Sequence, residues 1–262
     1  MINNWQKFLL PYSQAVDELK VKFKSMRKSY KGLDEFSPIE FVTGRVKTIS
    51  SIIEKLGRRG LSIDDAAKLE DISGIRIMCQ LVDDITSVVD LIKARDGKDL
   101  EIVEERDYTK NIKESGYRSY HVIVNYWVYT AAGPKEVLAE IQIRTLAMNF
   151  WATIDHSINY KFEGNIPEHV KIRLKNAADA AYILDMEMSE IKDEIKDSQK
   201  LFLAESSLTE KILNKIHILY VNNNYSSVDL LRKEFYYAKK SGSLDELRKL
   251  NDKIDLIFKE IE

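Results

Sequence analysis

The chain has 262 residues, room for one large domain plus a smaller appendage. Its hydrophobic content of 44% supports a true core, and its net charge of −2 excludes bulk attraction to nucleic acid or membrane, so any anion binding must come from local clusters. The amino terminus has no basic-apolar signal and no apolar run is long enough to span a bilayer, so a cytoplasmic protein is expected.

Trp5, Leu9, Tyr12, Val16, Leu19, Phe23, Met26 and Tyr30 recur in steps of four and three. The spacing predicts a long helix over 5–30 with a heptad seam, which wants a partner helix in this chain or another. Beside the seam Lys20, Lys24, Arg27 and Lys31 form a cationic stripe, readable as no more than a solvated flank. Ser37-Pro38-Ile39-Glu40 then reads as a helix start, with Ser as N-cap and Pro in the first turn. The helix expected from there carries Arg45, Lys47, Ser51, Lys55, Arg58 and Arg59 and ends at Gly60. Lys47, Ser51 and Lys55 are four apart and Arg58 extends their face. Few acids lie on that face, and a polyphosphate would satisfy it.

A short segment, 63–69, leads to Glu70-Asp71, and Ile75, Ile77, Cys79 and Leu81 alternate with Arg76, Met78 and Gln80 as a strand. Cys79, the single cysteine, excludes an internal disulfide and reads as a buried thiol. Asp71 beside the strand carrying Arg76 suits either a metal-and-phosphate arrangement or a plain salt bridge. A helix from about Asp83 to Arg95 closes at the turn Asp96-Gly97, and Leu100–Arg106 is the next strand. Residues 107–115 form a polar loop with Lys110 and Lys113, and Tyr117, next to Gly116, could offer a stacking face. The strand that follows, to Val128, puts His121, Ile123 and Asn125 on one side. A turn at 131–134 folds the chain back as an antiparallel hairpin.

The returning strand anchors the chain. Val137, Ala139, Ile141 and Ile143 alternate with Leu138, Glu140, Gln142 and Arg144. Glu140, Gln142 and Arg144 therefore project from one face, spaced roughly 7 Å apart. Such a face reads either as the solvated side of an edge strand or as a site; a helix with Asn149, Trp151, Thr153 and His156 continues it directly, which favours a site. Pro167 opens a second long helix with the seam Val170, Leu174, Ala177, Ala181, Leu184, Met188, Ile191 and Ile195. Two such seams argue for helix pairing between subunits. After Phe202 three short helical patterns follow, broken at 222–224 and 241–243, with Ser243 and Glu246 as a capping box. Residues 204–262 read as a helical appendage without visible chemistry.

Mixed strands and helices gather Asp71, Arg76, the 106–121 loop and the 140–156 segment. Two carboxylates, many cations and an aromatic ring suit magnesium-assisted chemistry on nucleotide phosphates. The four histidines, His121, His156, His169 and His217, are too scattered for a zinc site, while carboxylates can hold a hard metal. A glycine-rich phosphate loop is missing, as is the Gly-Ser with paired aspartates of ordinary nucleotidyltransferases.

Four ordered motifs carry a resemblance: Thr43-Gly44-Arg45-Val46-Lys47, Asp71-Ile72-Ser73-Gly74-Ile75-Arg76, Glu114-Ser115-Gly116-Tyr117-Arg118-Ser119-Tyr120-His121 and Glu140-Ile141-Gln142-Ile143-Arg144-Thr145. They resemble the synthetase motifs of the RelA/SpoT homologues. The amino-terminal helix and Asn149-Phe150-Trp151-Ala152-Thr153 bring the small alarmone synthetases of the RelQ type closest, over roughly residues 5 to 200. The resemblance implies an α/β fold with a nucleotidyltransferase-like mixed sheet flanked by helices. It divides the chain into a synthetase domain at 1–203, with flanking oligomerisation helices, and an extension at 204–262.

It also implies transfer of the β,γ-pyrophosphate of ATP to the 3′-hydroxyl of GDP or GTP, giving (p)ppGpp and AMP. Asp71 and Glu140 would hold Mg²⁺, with Glu140 also the base; Arg45 and Arg76 would sandwich adenine; Lys47, Ser51, Lys55 and Arg58 would bind the ATP phosphates. Tyr117 would stack on guanine, with Arg106, Lys113, His121, Gln142, Arg144, Asn149 and Asp155 around the acceptor nucleotide. The RelQ pattern has Glu where this chain has Asp155, one methylene shorter. A homotetramer is implied, with (p)ppGpp as allosteric ligand at Lys20, Lys24, Arg27, Glu40, Phe41, Thr43 and Asn149. Single-stranded RNA is a further partner the family suggests. No His-Asp dipeptide and no room before residue 5 for a hydrolase domain point to synthesis without hydrolysis. The rival reading, a non-catalytic regulator binding guanine nucleotides or single-stranded RNA, has no use for two carboxylates beside phosphates.

Overall fold

The central strand is the one that carries Glu140. In the computed structural model, which describes residues 4–33, 35–162, 166–221 and 225–261, five strands form one sheet in the order β1-β2-β5-β4-β3. They are β1 Phe41–Val46, β2 Ser73–Cys79, β3 Glu101–Asp107, β4 Tyr120–Thr130 and β5 Gly133–Thr145. The β2–β5 pair is parallel and the other pairs are antiparallel, so the sheet is mixed. The helices are α1 Trp5–Gly32, α2 Ile49–Arg59, α3 Val82–Lys93, α4 Leu146–Lys161, α5 Glu168–Val221, α6 Tyr225–Ser241 and α7 Leu244–Ile261, with a short 3₁₀ helix at Ile63–Lys68. None of the described helices is long and apolar enough to cross a membrane. Two compact units result, Met1–Ser189 and Glu190–Glu262.

The sheet accounts for the seam of α1. Tyr12, Val16, Leu19 and Phe23 are buried in one apolar cluster with Ile75, Ile77, Ala139 and Ile141 of β2 and β5. The heptad seam therefore finds its partner in the sheet of its own chain, where a helix was expected. A sheet face and a helix both accept a stripe of apolar side chains, and period alone does not separate them.

The helix expected from Ser37 onward is divided. Phe41–Val46 is an edge strand paired antiparallel with β2, and only Ile49–Arg59 is helical. Ser37 Oγ accepts the Ile39 N–H at 3.1 Å, a local turn that imitates a cap. The true N-cap is Thr48, in extended conformation, whose side chain accepts from Ser51 N–H at 3.3 Å. Val42, Thr43 and Val46 favour a strand, and Gly44 costs a helix about 1 kcal/mol. Gly44 is needed for close approach: a Cβ there would stand 2.9 Å from both Val16 Cγ1 and Lys20 Cδ. Lys47 accordingly sits in the bend between β1 and α2.

In the second unit, Ile212, Ile216 and Leu219 of α5 form a core with Val228, Leu231, Leu247 and Ile254. The first of the three short patterns expected after Phe202 belongs to α5, which runs unbroken for 54 residues. The break expected at 222–224 lies outside the described residues. At the second break Gly242 has φ +67°, and Ser243 accepts the Glu246 N–H at 3.3 Å. The Glu246 carboxylate takes the Ser241 hydroxyl at 2.5 Å, a variation on the expected capping box.

Because Phe23 is fully buried against the sheet, Phe23→Ala is expected to cost about 3–5 kcal/mol. The loss, read from urea denaturation, should not depend on protein concentration. A concentration-dependent loss would place the seam at a subunit interface.

Candidate active site

Strand register assembles the site. Thr43 pairs with Arg76, Arg76 with Gln142, Gln142 with His121, and His121 with Arg106, so these five side chains form one row across the sheet. In the adjacent row Arg45 pairs with Gly74 and Gly74 with Glu140. Val42 and Gly44 point to the α1 side, which leaves the polar rows on the opposite face. A solvated edge face was the bland expectation for Glu140, Gln142 and Arg144; the strand is instead central and Arg144 is only 3% exposed.

Polar groups at such a depth need partners, and the row supplies them. His121 Nδ1 lies 3.0 Å from Glu140 Oε1 and its Nε2 lies 2.9 Å from the Tyr117 hydroxyl. With Glu140 ionised, Nδ1–H donates to it, and the Tyr117 hydroxyl that meets Nε2 also accepts from Arg144 at 2.9 Å. Gln142 donates its amide to Glu140 Oε2 at 2.7 Å, and its oxygen accepts from Arg76 at 3.3 Å and from Arg144. Burial alone would raise the Glu140 carboxyl; the His121 and Gln142 contacts outweigh it and hold Glu140 below the ordinary glutamate value. Burial, with Arg144 and Arg45 close by, lowers the Arg76 guanidinium. These crowded cations favour an anion.

Asp71 stands just before β2. Its Oδ2 accepts from Lys47 at 2.6 Å and from Lys55 at 2.8 Å. Burial opposes the charge, yet the two lysines prevail and the carboxyl lies below its ordinary value. Asp71 Oδ1 is buried without a hydrogen-bond partner among the described residues. Asp71 lines a cavity of about 160 Å³ with Glu140, Gln142, Arg45, Arg76 and Thr43. Magnesium is commonly bound through one or two carboxylates plus water and substrate phosphates, and a carboxylate with an unpartnered oxygen that shares a small cavity with a second carboxylate fits it. The described residues form no cluster of three or more His, Cys, Asp or Glu able to hold a metal by themselves.

The neighbouring cavity, about 380 Å³, is lined by Arg45, Lys47, Ser51, Arg58, His156 and Asn159. The basic face read from the sequence is thus assembled, but its two lysines already have Asp71 as a partner, and Arg58 is paired with Glu54 at 3.6 Å. Arg106 is held by Glu70 at 2.9 and 3.0 Å. Lys113 Nζ lies 4.3 Å from the Tyr108 ring centre and 5.0 Å from that of Tyr117. Asp155 lines a different cavity, about 410 Å³, with Glu114, Ser115 and Lys171, and burial pushes its carboxyl up. Asn149 lies in the first turn of α4.

The expected allosteric residues do not converge within one chain. Arg27 lies 3.3 Å from Glu40, and both line a cavity of about 570 Å³ beside Gln80. Lys20 and Lys24 lie further back on α1. Thr43 lines the cavity shared by Asp71 and Glu140, and Phe41 shares its side of β1. Three site residues were unassigned from sequence: Glu70, which holds Arg106; Tyr108, edge-on to both Tyr117 and His121; and Thr48, which caps α2 and lines the second cavity. Glu70 adjoins Asp71, and Tyr108 follows β3 at the start of the basic loop; those positions were their only signal.

The end of β5 is fastened by α5. Thr145 accepts the Met148 N–H at 3.0 Å and donates to Asp185 Oδ2 at 2.6 Å. Asp185 is buried, and burial raises its carboxyl above the ordinary value.

Comparison with known proteins agrees with this geometry. Residues 44–165 match the family model described as the region found in RelA/SpoT proteins. The chain is 57% identical over 198 residues to the GTP pyrophosphokinase YjbM of Bacillus subtilis, covering 76% of this chain and 93% of that one. It superposes with a TM-score of 0.71, at 57% identity, on the B. subtilis small alarmone synthetase 1 bound to its product pppGpp, covering 73% of this chain and 97% of that one. Against the same synthetase bound to AMPCPP the TM-score is 0.66 at 53% identity, over 74% and 98% of the two chains.

A raised folded pKa for Asp185 means that the folded state holds its proton more tightly. That stabilisation is complete below the unfolded value near 3.8 and is lost as pH rises through the folded value. Asp185→Asn keeps an acceptor for Thr145 without the charge. Its thermal midpoint should equal or exceed that of the parent at pH 8 and lose the advantage near pH 4. Equal destabilisation at both pH values would refute this account.

Proposed function

The chain belongs to the RelA/SpoT family and is a GTP pyrophosphokinase, and we propose that it transfers the β,γ-pyrophosphate of ATP to the ribose 3′-hydroxyl of GDP or GTP. The observation that carries the chemistry is the pairing of Asp71 and Glu140 across one cavity flanked by Arg45 and Arg76. Glu140 takes the 3′-hydroxyl proton; the freed oxygen bonds to the β-phosphorus, and the bond from that phosphorus to the oxygen bridging to the α-phosphorus breaks. AMP leaves with that oxygen. Glu140 suits the base role because His121 and Gln142 hold it ionised and oriented.

Asp71 and Glu140 would hold Mg²⁺, which when bound supplies positive charge against the pyrophosphate oxygens. Arg45 and Arg76 offer planar guanidiniums to adenine. Lys47, Ser51, Lys55 and Arg58 take the ATP phosphates, and a triphosphate competes with Asp71 for both lysines. Tyr117 stacks on guanine, while Arg106, Lys113, His121, Gln142, Arg144, Asn149 and Asp155 surround the acceptor.

Residues 1–203 act as the synthetase domain and 204–262 as an extension to it. Lys20, Lys24, Arg27, Glu40, Phe41, Thr43 and Asn149 form an allosteric site for (p)ppGpp. Because β1 turns Phe41 and Thr43 away from α1, a complete site of this kind draws on more than one copy, in keeping with a homotetramer. Leu184 and Met188 of the α5 seam, 53% and 44% exposed, support such assembly. A cytoplasmic enzyme that synthesises without hydrolysing fits the lack of a His-Asp dipeptide. Single-stranded RNA is a further ligand of the basic surfaces.

Incubation with Mg²⁺, labelled ATP and GTP, resolved by anion exchange, should yield equimolar AMP and guanosine pentaphosphate. Glu140→Gln should abolish both products while the circular dichroism spectrum is retained; turnover by that variant would remove Glu140 from the base role. Lys24→Ala is expected to lose stimulation by added pppGpp and to keep the basal rate, whereas equal loss of the two would argue against a separate site.

A further inference from the structure

Arg118 belongs to the motif that carries Tyr117, yet it points away from the cavity and is only 7% exposed. Its guanidinium donates to the Gly116 carbonyl at 3.0 Å, to the Ala178 carbonyl at 3.3 Å and to Asp179 Oδ1 at 2.8 Å. It also lies 4.7 Å from the centre of the Tyr182 ring. Arg118 Nε is buried with no partner among the described residues. A guanidinium is a costly filler there, because an apolar side chain of similar volume would pack without desolvating a charge. What it provides is a bridge from a loop carbonyl to a carbonyl and a carboxylate on α5.

A second observation brings the same loop to the same helix. Gly116 has φ +85°, and a Cβ on it would lie 2.7 Å from Ala178 Cβ. The loop is therefore pressed against α5 where no side chain fits. Tyr117 stands between these two anchored residues, and its ring packs with Trp151, Ala152 and Ala178. Trp151 Nε1 in turn donates to the Leu174 carbonyl of α5 at 2.7 Å. The backbone on both sides of Tyr117 and one side of its ring are thus set by residues 174–182.

We propose that Arg118, clamped by Asp179, is a positioning residue for the acceptor nucleotide, acting through Tyr117. The proposal rests on the reading of Tyr117 as the ring that stacks on guanine. Loosening the clamp lets the ring wander and weakens the grip on GTP, while the ATP side, built on β1, α2 and β2, is untouched.

The test measures KM for GTP, KM for ATP, kcat and thermal midpoint in Arg118→Lys, Asp179→Asn, Asp179→Glu and Tyr117→Ala. Asp179 is 46% exposed, so its variants remain informative if Arg118→Lys fails to fold. Loss of a charge-assisted hydrogen bond should raise KM for GTP about tenfold in Asp179→Asn and leave KM for ATP within about twofold, with Asp179→Glu close to the parent. Equal changes in both constants, or no rescue by Asp179→Glu, would mark the clamp as structural only. An unchanged KM for GTP in the Asp179 variants, alongside a raised one in Tyr117→Ala, would overturn the clamp and spare the stacking. An unchanged value in Tyr117→Ala would overturn the stacking and the clamp with it.

Discussion

A carboxylate in the middle of a sheet is the constraint around which this fold is arranged. Glu140 sits on the central strand, two strands from either edge, where an ionised oxygen is tolerated only with donors already in place. His121 and Gln142 provide them. His121 in turn needs Tyr117, and the Tyr117 hydroxyl is held by Arg144. Each group in the chain satisfies the one before it, so removing any member leaves a neighbour buried and unpaired. Such a network costs stability that an apolar row would not. Its presence on a strand whose other face is apolar from Val137 to Ile143 agrees with a chemical role for the oxygen it keeps charged.

Asp71 shows the complementary device. Two lysines neutralise one of its oxygens and the other has no hydrogen-bond partner among the described residues. Glu140 is thus oriented by donors from His121 and Gln142, while Asp71 is balanced by Lys47 and Lys55, cations that a polyphosphate can recruit. That difference separates the proposed base from the proposed partner in metal binding more clearly than either carboxylate considered alone.

Much of this was legible in the sequence where one signal dominated. The alternation from Val137 to Arg144 and the 131–134 turn gave the β4–β5 hairpin, and the four motifs supplied Asp71, Arg76, Tyr117, His121 and Glu140, which the fold brings near one another. Elsewhere two physical readings shared one pattern. Ser37-Pro38-Ile39-Glu40 has the composition of a helix start, and only pairing with β2 turns the next residues into a strand. The seam of α1 matches a coiled coil, yet it is consumed by the sheet. A polar face looks the same in sequence whether the strand lies at the edge or in the centre. Arg118 had no separate signal, since its partners Ala178 and Asp179 lie sixty residues away.

One helix ties these distant pieces together. Within α5, Asp179 reaches the loop beside Tyr117 and Asp185 reaches Thr145 at the end of β5, next to Arg144. Tyr117 and Arg144 meet at the Tyr117 hydroxyl, so both ends of that contact are referenced to one rigid element six residues long between its carboxylates. The Lys47, Ser51 and Lys55 side is positioned instead by Thr48, which caps α2, and by the approach of β1 to α1 at Gly44. The two proposed nucleotide sites are thus held by different parts of the fold and joined through β2 and β5. A change in α5 would be felt first at Tyr117 and Arg144, whereas α1 underlies both sites, because its seam packs against β2 and β5 together.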